Sequence, residues 1–233
     1  MDKQNHAWSY SSINVFAQCP RRWLGEKIEG FRQEETEALR FGAEAHSQAE
    51  MYGKTGKAFT EEFSFMEPFV KPLVEAPGDK HYEMRLALTS DLEPCDFFAD
   101  NCWWRGIADL VNLLPNADGD PTEAVLIDYK TGKNTKFADI KQLQLLSLGL
   151  FHTFPSLETI KGALLFVMMP KKKSIISGEF HRKDAEKYWE HWDKLVSKLQ
   201  FALLNGSFPP KKNALCKSFC PVTTCHHNGK YEG

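Results

Sequence analysis

No long apolar run interrupts this sequence. The longest, Ala163 to Met169, is far too short to span a bilayer. The first eight residues, Met1 to Trp8, lack the apolar core of a secretory leader, so the expectation is an intracellular protein in a reducing compartment, with no membrane partner. In such a compartment the six cysteines are not expected to form disulfides. A global basic field is also missing, because the formal net charge is −2. That argues against a protein that coats nucleic acid by neutralising phosphates. It does not argue against an enzyme that needs only local basic patches, such as Arg21-Arg22, Lys130 to Lys141, or Lys171 to Lys173. Internal repeats and low-complexity segments are absent, which sets aside solenoids and linker-rich chains. What remains is 233 residues, 42% hydrophobic and 26% charged, an ordinary globular composition with enough chain for a substantial core.

Hydrophobic periodicity divides the chain into helices and strands. Ser11 or Ser12 is read as the N-cap of a helix through Phe16 and Trp23, interrupted or bent at Pro20. Glu37 to Met51 has helical spacing, and residues 54 to 79, with Pro68, Pro72 and Pro77, read as irregular. Strands are expected over His81 to Leu88, Trp103 to Leu114, Glu123 to Lys130, Thr159 to Met169 and Ile175 to His181. A leucine-rich helix fills Asp139 to His152, and an amphipathic helix runs from Asp184 to Leu204. From Gly206 the tail reads as loop. This order implies an α/β fold, a central mixed sheet flanked by helices.

The chemistry concentrates in Ala124-Val-Leu-Ile-Asp-Tyr-Lys-Thr-Gly-Lys133 and in Gly106-Ile-Ala-Asp109. On a strand, Asp128 and Lys130 project to one face. A hairpin centred near Asp118 would put position 109 opposite 127, beside Asp128. Two carboxylates and a lysine on one patch suit hard Mg²⁺ or Mn²⁺ ions and a scissile phosphodiester. The following helix can present Gln142 towards that patch. Glu83, on the preceding strand, could add a weak acidic contact but is expected to serve structure.

A second constellation is Cys216-Lys-Ser-Phe-Cys-Pro-Val-Thr-Thr-Cys225, with Cys19 near the other end of the chain. Four thiolates (Cys19, Cys216, Cys220 and Cys225) could hold a structural Zn²⁺, which spacing alone favours slightly, or a [4Fe–4S] cluster. His226 and His227 offer alternative zinc ligands. Cys95 and Cys102 are expected to be buried thiols.

Taken in order, these segments resemble the PD-(D/E)XK nuclease superfamily, and within it the RecB-like branch with an iron–sulfur staple. That branch includes AddB-type nuclease domains and CRISPR-associated iron–sulfur exonucleases. Ser9 to Trp23 is similar to the helix carrying the first cluster cysteine, and Phe41-Gly-Ala-Glu-Ala-His46 to the helix with a metal-binding histidine. Gly106 to Asp109 resembles the first acidic motif, Asp128-Tyr-Lys130 the second, and Gln142-Leu-Gln-Leu-Leu146 the glutamine motif. Leu146 stands where that motif usually has tyrosine, and the last three cysteines are spaced three then four rather than two then five.

The resemblance implies a restriction-endonuclease-like core over residues 1 to 233, with residues 1–30 and 206–233 joined by the cluster. It implies metal ligation by His46, Asp109, Asp128 and the Tyr129 carbonyl, and catalytic roles for Asp109, Asp128, Lys130 and Gln142. It tilts the cysteine site towards [4Fe–4S] over Zn²⁺. The implied activity is a metal-dependent DNA exonuclease acting on single-stranded ends in recombination, repair or phage replication, with or without a helicase partner. The alternative is a non-catalytic scaffold that binds DNA ends or a protein partner.

Overall fold

The computed structural model describes residues 6–136 and 138–232. The first five residues, read above for their lack of a leader, lie outside the described residues, as do Phe137 and Gly233. The chain divides into two compact units. One comprises Glu37–Tyr188 with His6 and Ala7, and the other Trp8–Thr36 with residues 189–232.

The first unit is built on a five-stranded sheet in the order β1-β2-β3-β4-β5. Its strands are β1 (Asp79–Leu88), β2 (Trp104–Pro115), β3 (Pro121–Lys130), β4 (Thr159–Phe166) and β5 (Ile175–His181). Neighbours are antiparallel except β3 and β4, which are parallel. A parallel pair needs a crossover, and the leucine-rich helix Lys141–Thr153 supplies it. Helices α1 to α6 span Tyr10–Gln18, Pro20–Lys27, Glu37–Thr55, Glu67–Glu75, Lys141–Thr153 and Ala185–Asn205. The expected mixed sheet flanked by helices is the observed architecture. No helix among the described residues is long and apolar enough to cross a membrane.

Each face of the sheet has its own apolar layer. Ala45 and Ala49 of α3, with Phe63, Met66 and Val70, pack on Leu110, Ile127, Tyr129 and Leu165. On α5, Leu143 and residues 145–151 are all buried, as expected for a helix that is apolar all round. Helix and sheet approach closely on this side because Gly149 lets the Trp104 ring in. A Cβ at Gly149 would lie 2.5 Å from that ring, and one at Gly106 would lie 2.8 Å from Leu146.

Three local expectations are corrected. The N-cap of α1 is Ser9, not Ser11 or Ser12, because the Ser9 hydroxyl accepts from the Ser12 amide at 3.3 Å. Residues 54 to 79 are not irregular: a 3-10 turn (Glu61–Met66) leads into α4. Pro68 sits in the first turn of α4, where no amide donor is needed, so it starts a helix rather than preventing one. The hairpin register pairs Leu110 with Ile127, which carries Asp109 opposite 128 rather than 127. The turn itself is centred on Asp118 as expected, with Pro115 paired to Pro121 and Asn116 Oδ1 accepting from the amides of Asp118 and Asp120, and the shift enters at the irregularity between Leu114 and Pro115.

The second unit holds α1, α2, most of α6 and the tail. Trp23 stacks on Phe208 with centroids 5.8 Å apart, and its indole donates to Ser12 Oγ at 3.2 Å. Trp8 and Tyr10 both lie against Trp192.

Replacing Gly149 by valine is expected to lower stability by about 1–3 kcal/mol, the cost typical of overpacking a closed core. A urea denaturation midpoint unchanged from wild type would show that the α5–β2 contact can relax around the added carbons.

Candidate active site

Regular alternation breaks at the two residues that matter most. Tyr82 and Leu86 are four apart on β1 and would share a face of a regular strand. Tyr82 instead packs in the α3-side core, while Leu86 faces Gly149 of α5. On β2, Leu110 lies in the α3-side core and Gly106 faces Leu146 of α5. Between these positions the ladder pairs Tyr82 with Leu110 and Met84 with Ala108, leaving out Glu83 and Asp109. Glu83 has φ 49°, a left-handed conformation rarely adopted by residues other than glycine. The slip re-aims both acidic side chains towards His46, on the helix that covers this face.

The resulting cluster is tight. His46 Nδ1 lies 3.1 Å from Asp109 Oδ2 and 4.0 Å from Glu83 Oε1. One ligand atom from each of His46, Glu83 and Asp109 falls within 4.8 Å of the others. Asp109 Oδ2 also accepts from the Tyr129 amide at 2.7 Å, which ties the first acid to the strand carrying the second. Glu83, expected to serve structure, therefore belongs to the cluster, and its left-handed backbone gave no sign in the sequence.

Asp128, Lys130 and Gln142 close a second, adjoining ring. Lys130 Nζ donates to Gln142 Oε1 at 2.9 Å, and Gln142 Nε2 donates to Asp128 Oδ1 at 2.5 Å. Lys130 Nζ lies 2.6 Å from Asp128 Oδ2. That second oxygen is buried and, despite the close ammonium, accepts no well-directed hydrogen bond. The i, i+2 spacing on β3 and the first turn of α5 thus bring together the three residues as the sequence suggests.

Electrostatics fit a cation here. Burial raises the Glu83 pKa to about 7, with the Asp109 charge adding to it. Burial and the Asp109 charge also raise the Asp128 pKa, against the pull of Lys130 and His46. Burial disfavours charge on His46, but Asp109, Asp128 and Glu83 together outweigh it and raise its pKa. Crowded carboxylates that resist ionisation and a histidine nitrogen make a donor set suited to a divalent metal. His46, Glu83 and Asp109 are the side chains gathered closely enough to hold it, and Asp128 belongs to the adjoining ring.

The second unit gathers the other candidate set. Cys19, Cys216, Cys220 and Cys225 line one small cavity with Arg21, Arg22 and His227. Cys19 Sγ accepts from the Lys211 amide at 3.3 Å, and Cys216 Sγ from the Asn213 amide at 3.4 Å. Burial pushes the Cys220 thiol up, and Cys216 and Cys19 push it further, while Arg22 opposes them. Asn228 Nδ2 donates to the carbonyls of Cys220 and Val222, fixing the loop between the sulfurs. All six cysteines are free thiols. Cys102 is buried, as expected, whereas Cys95 is only partly so.

Because its folded pKa is raised, the Glu83 carboxyl favours folding when protonated. That contribution is full below about pH 4, the unfolded value, and is lost as pH rises through about 7. Metal-free protein should therefore lose thermal stability from pH 5 to pH 8, and Glu83→Gln should flatten that slope. Mn²⁺ should raise Tm most at pH 8. Parallel Tm profiles for wild type and Glu83→Gln would show that the carboxyl is not coupled to its neighbours.

Solved structures resemble this chain to different degrees. A candidate exonuclease from Eubacterium rectale superposes with a TM-score of 0.54 at 12% identity, covering 92% of this chain and 87% of that one. The crystal structure of SSO0001 gives 0.46 at 13% identity, over 98% of this chain and 89% of that one. LHK-Exo in complex with dAMP gives 0.40 at 10% identity, over 87% and 94%. Comparison with curated proteins gives no significant match. A family model matches residues 7–90 and 82–225, nearly the whole sequence and both acidic motifs, and by that match the chain belongs to the PD-(D/E)XK nuclease superfamily.

Proposed function

We propose that the protein is a Mg²⁺- or Mn²⁺-dependent deoxyribonuclease of the RecB-like branch, an exonuclease that digests single-stranded DNA from its ends. The observation that carries this reading is the junction of two clusters. The His46–Glu83–Asp109 group adjoins the Asp128–Lys130–Gln142 ring, and the Tyr129 amide bonded to Asp109 links them. His46, Asp109 and Asp128, with the Tyr129 carbonyl, are the proposed ligands, and Glu83 completes the acidic side of the group. A bound divalent ion would lower the pKa of a ligated water and offset charge on the phosphoryl oxygens.

The chain's own residues do the rest. Lys130 is the one cation in its ring, and its ammonium can turn from Asp128 to donate to the attacking water or to a phosphate oxygen. Gln142 accepts from Lys130 and donates to Asp128, so it holds the lysine rotamer and fixes which carboxylate oxygen faces the ion. Asp109 is oriented by a backbone amide and a histidine, which leaves it rigid before substrate arrives.

In the second unit, Cys19, Cys216, Cys220 and Cys225 hold a [4Fe–4S] cluster in this reading, joining residues 1–30 to residues 206–233. Four thiols lining one cavity are the donor set such a cluster takes. In this reading the enzyme works in recombination, repair or phage replication inside the cell, and the family resemblance supports that role.

With Mn²⁺, wild type should degrade end-labelled linear single-stranded DNA and spare closed circles. Asp109→Ala should reduce turnover to background, Lys130→Ala should cost about 100-fold or more, and Gln142→Leu about 10- to 100-fold. Cutting of circles would make the enzyme an endonuclease. No turnover by folded, metal-loaded wild type would leave a DNA-binding scaffold.

The purified protein is expected to be brown, absorbing broadly near roughly 400 nm, and Cys19→Ser should bleach it and lower Tm. A colourless protein containing one zinc per chain would overturn the cluster assignment.

A further inference from the structure

Beyond the slip at Glu83 and Asp109, the same face of β1 and β2 carries two arginines. Leu86 and Gly106 point to α5, so Arg85, Arg105 and Ile107 take the opposite side, the side of His46. Arg85 and Ile107 are exposed and pair across the strands. The connection between β1 and β2 then returns over them, carrying Phe97 and Phe98. Both guanidinium groups lie over both rings: Arg85 is 5.5 Å from the Phe97 centroid and 5.6 Å from that of Phe98. Arg105 is 5.4 Å and 5.9 Å from the same two rings. The rings meet edge to face at 5.1 Å. Phe98 is 72% exposed.

This connection is held as a fixed platform. The Cys95 amide donates to the Ala87 carbonyl at 3.1 Å, and Trp103 to Leu88 at 2.8 Å. Within the loop, Ala99 donates to Asp96 and Cys102 to Ala99, both at 3.0 Å. A single exposed phenylalanine is unremarkable on a protein surface. An exposed ring locked beside a second ring, under two guanidinium groups and on the catalytic face, is a different arrangement.

We propose that Arg85, Arg105, Phe97 and Phe98 form a cradle for the unpaired nucleotides next to the scissile phosphate, Phe98 stacking on a base and the arginines meeting phosphates. The proposal rests on the nuclease reading above and adds the place where single-stranded character is recognised. Arg85 stands two residues from Glu83, about 7 Å along the strand, and Arg105 four residues from Asp109, about 13 Å. At about 3.4 Å per stacked nucleotide, the cradle meets the second to fourth nucleotide from the cut. An aromatic face accepts any base but only when the base is unpaired, so the site selects strand state rather than sequence. The loop also carries exposed Asp91, Glu93, Asp96 and Asp100, so bulk charge does not draw DNA here. Attraction comes from the two guanidiniums, and the salt dependence of binding should reflect only one or two phosphates.

The test uses the full chain. Binding of a fluorescent 12-mer oligothymidine is measured by anisotropy in Ca²⁺. Hydrolysis of bis(p-nitrophenyl) phosphate in Mn²⁺ reports on the metal site without any base. Phe98→Ala should weaken oligonucleotide binding roughly 5- to 100-fold and leave hydrolysis of the small ester unchanged. Arg85→Gln should weaken binding and reduce the salt slope by about one. An oligonucleotide with abasic residues at the second to fourth positions should bind wild type and Phe98→Ala alike. Equal binding of the intact oligonucleotide by all three proteins would overturn the cradle. So would a Phe98→Ala deficit that persists on the abasic strand, since that loss would not come from stacking. Failure of wild type to hydrolyse the small ester would count against the metal site alone, and the binding measurements would still decide the cradle.

Discussion

Asp128 is a carboxylate 3% exposed at the end of a central strand, and the rest of the site depends on how its burial is made tolerable. A buried acid without partners is costly enough that it either takes up a proton or destabilises the fold. Here Lys130, two residues along the same strand, supplies the counter-charge, and Gln142 supplies a directed hydrogen bond from α5. The glutamine reaches because α5 lies close on the sheet, where Gly106 and Gly149 make room for Trp104 and Leu146. Core packing and polar geometry are thus one problem: any shift of α5 moves the donor that satisfies Asp128.

The two strands that deliver Glu83 and Asp109 solve a related difficulty. A regular ladder would send residues 82 and 86, or 106 and 110, to one face, yet both faces of this sheet must be filled with apolar side chains. The slip lets Tyr82 and Leu110 enter one layer while Leu86 and Gly106 enter the other. Its cost is a left-handed residue at Glu83, of the order of 1–3 kcal/mol for such positions. The gain is local: two acids leave the ladder together and converge on a histidine. Past the slip, the strands carry arginines on the catalytic face instead of core residues, which gives that face its polar continuation.

Much of this was legible from the residues. Strand β5 matches its expected span from Ile175 to His181, and α3, α5 and α6 appear within about one turn of theirs. Placing Asp128 and Lys130 on one side of a strand needed only the two-residue period. Bringing Gln142 to them needed only the helix after Lys130 to pack beside the sheet. Residues 61 to 75 were misread because prolines signal irregularity unless the first turn of the helix is known in advance. How fully Glu83 joins the cluster could not be read, since nothing in His81-Tyr-Glu-Met-Arg85 marks a backbone that turns left-handed.

The sequence by itself determined the mixed α/β architecture and the acid–lysine pair, because periodicity and residue chemistry are local properties. Clustering singled out Cys216, Cys220 and Cys225, and the tertiary structure brings Cys19 to the same cavity. Only the tertiary structure decided how the acids are aimed. The phase of two adjacent strands slips where opposing apolar layers compete for the same side chains, and that competition exists only once both layers are packed. The arginine–phenylalanine platform belongs to the same category, since it depends on a 15-residue connection between β1 and β2 folding back over the strands it joins.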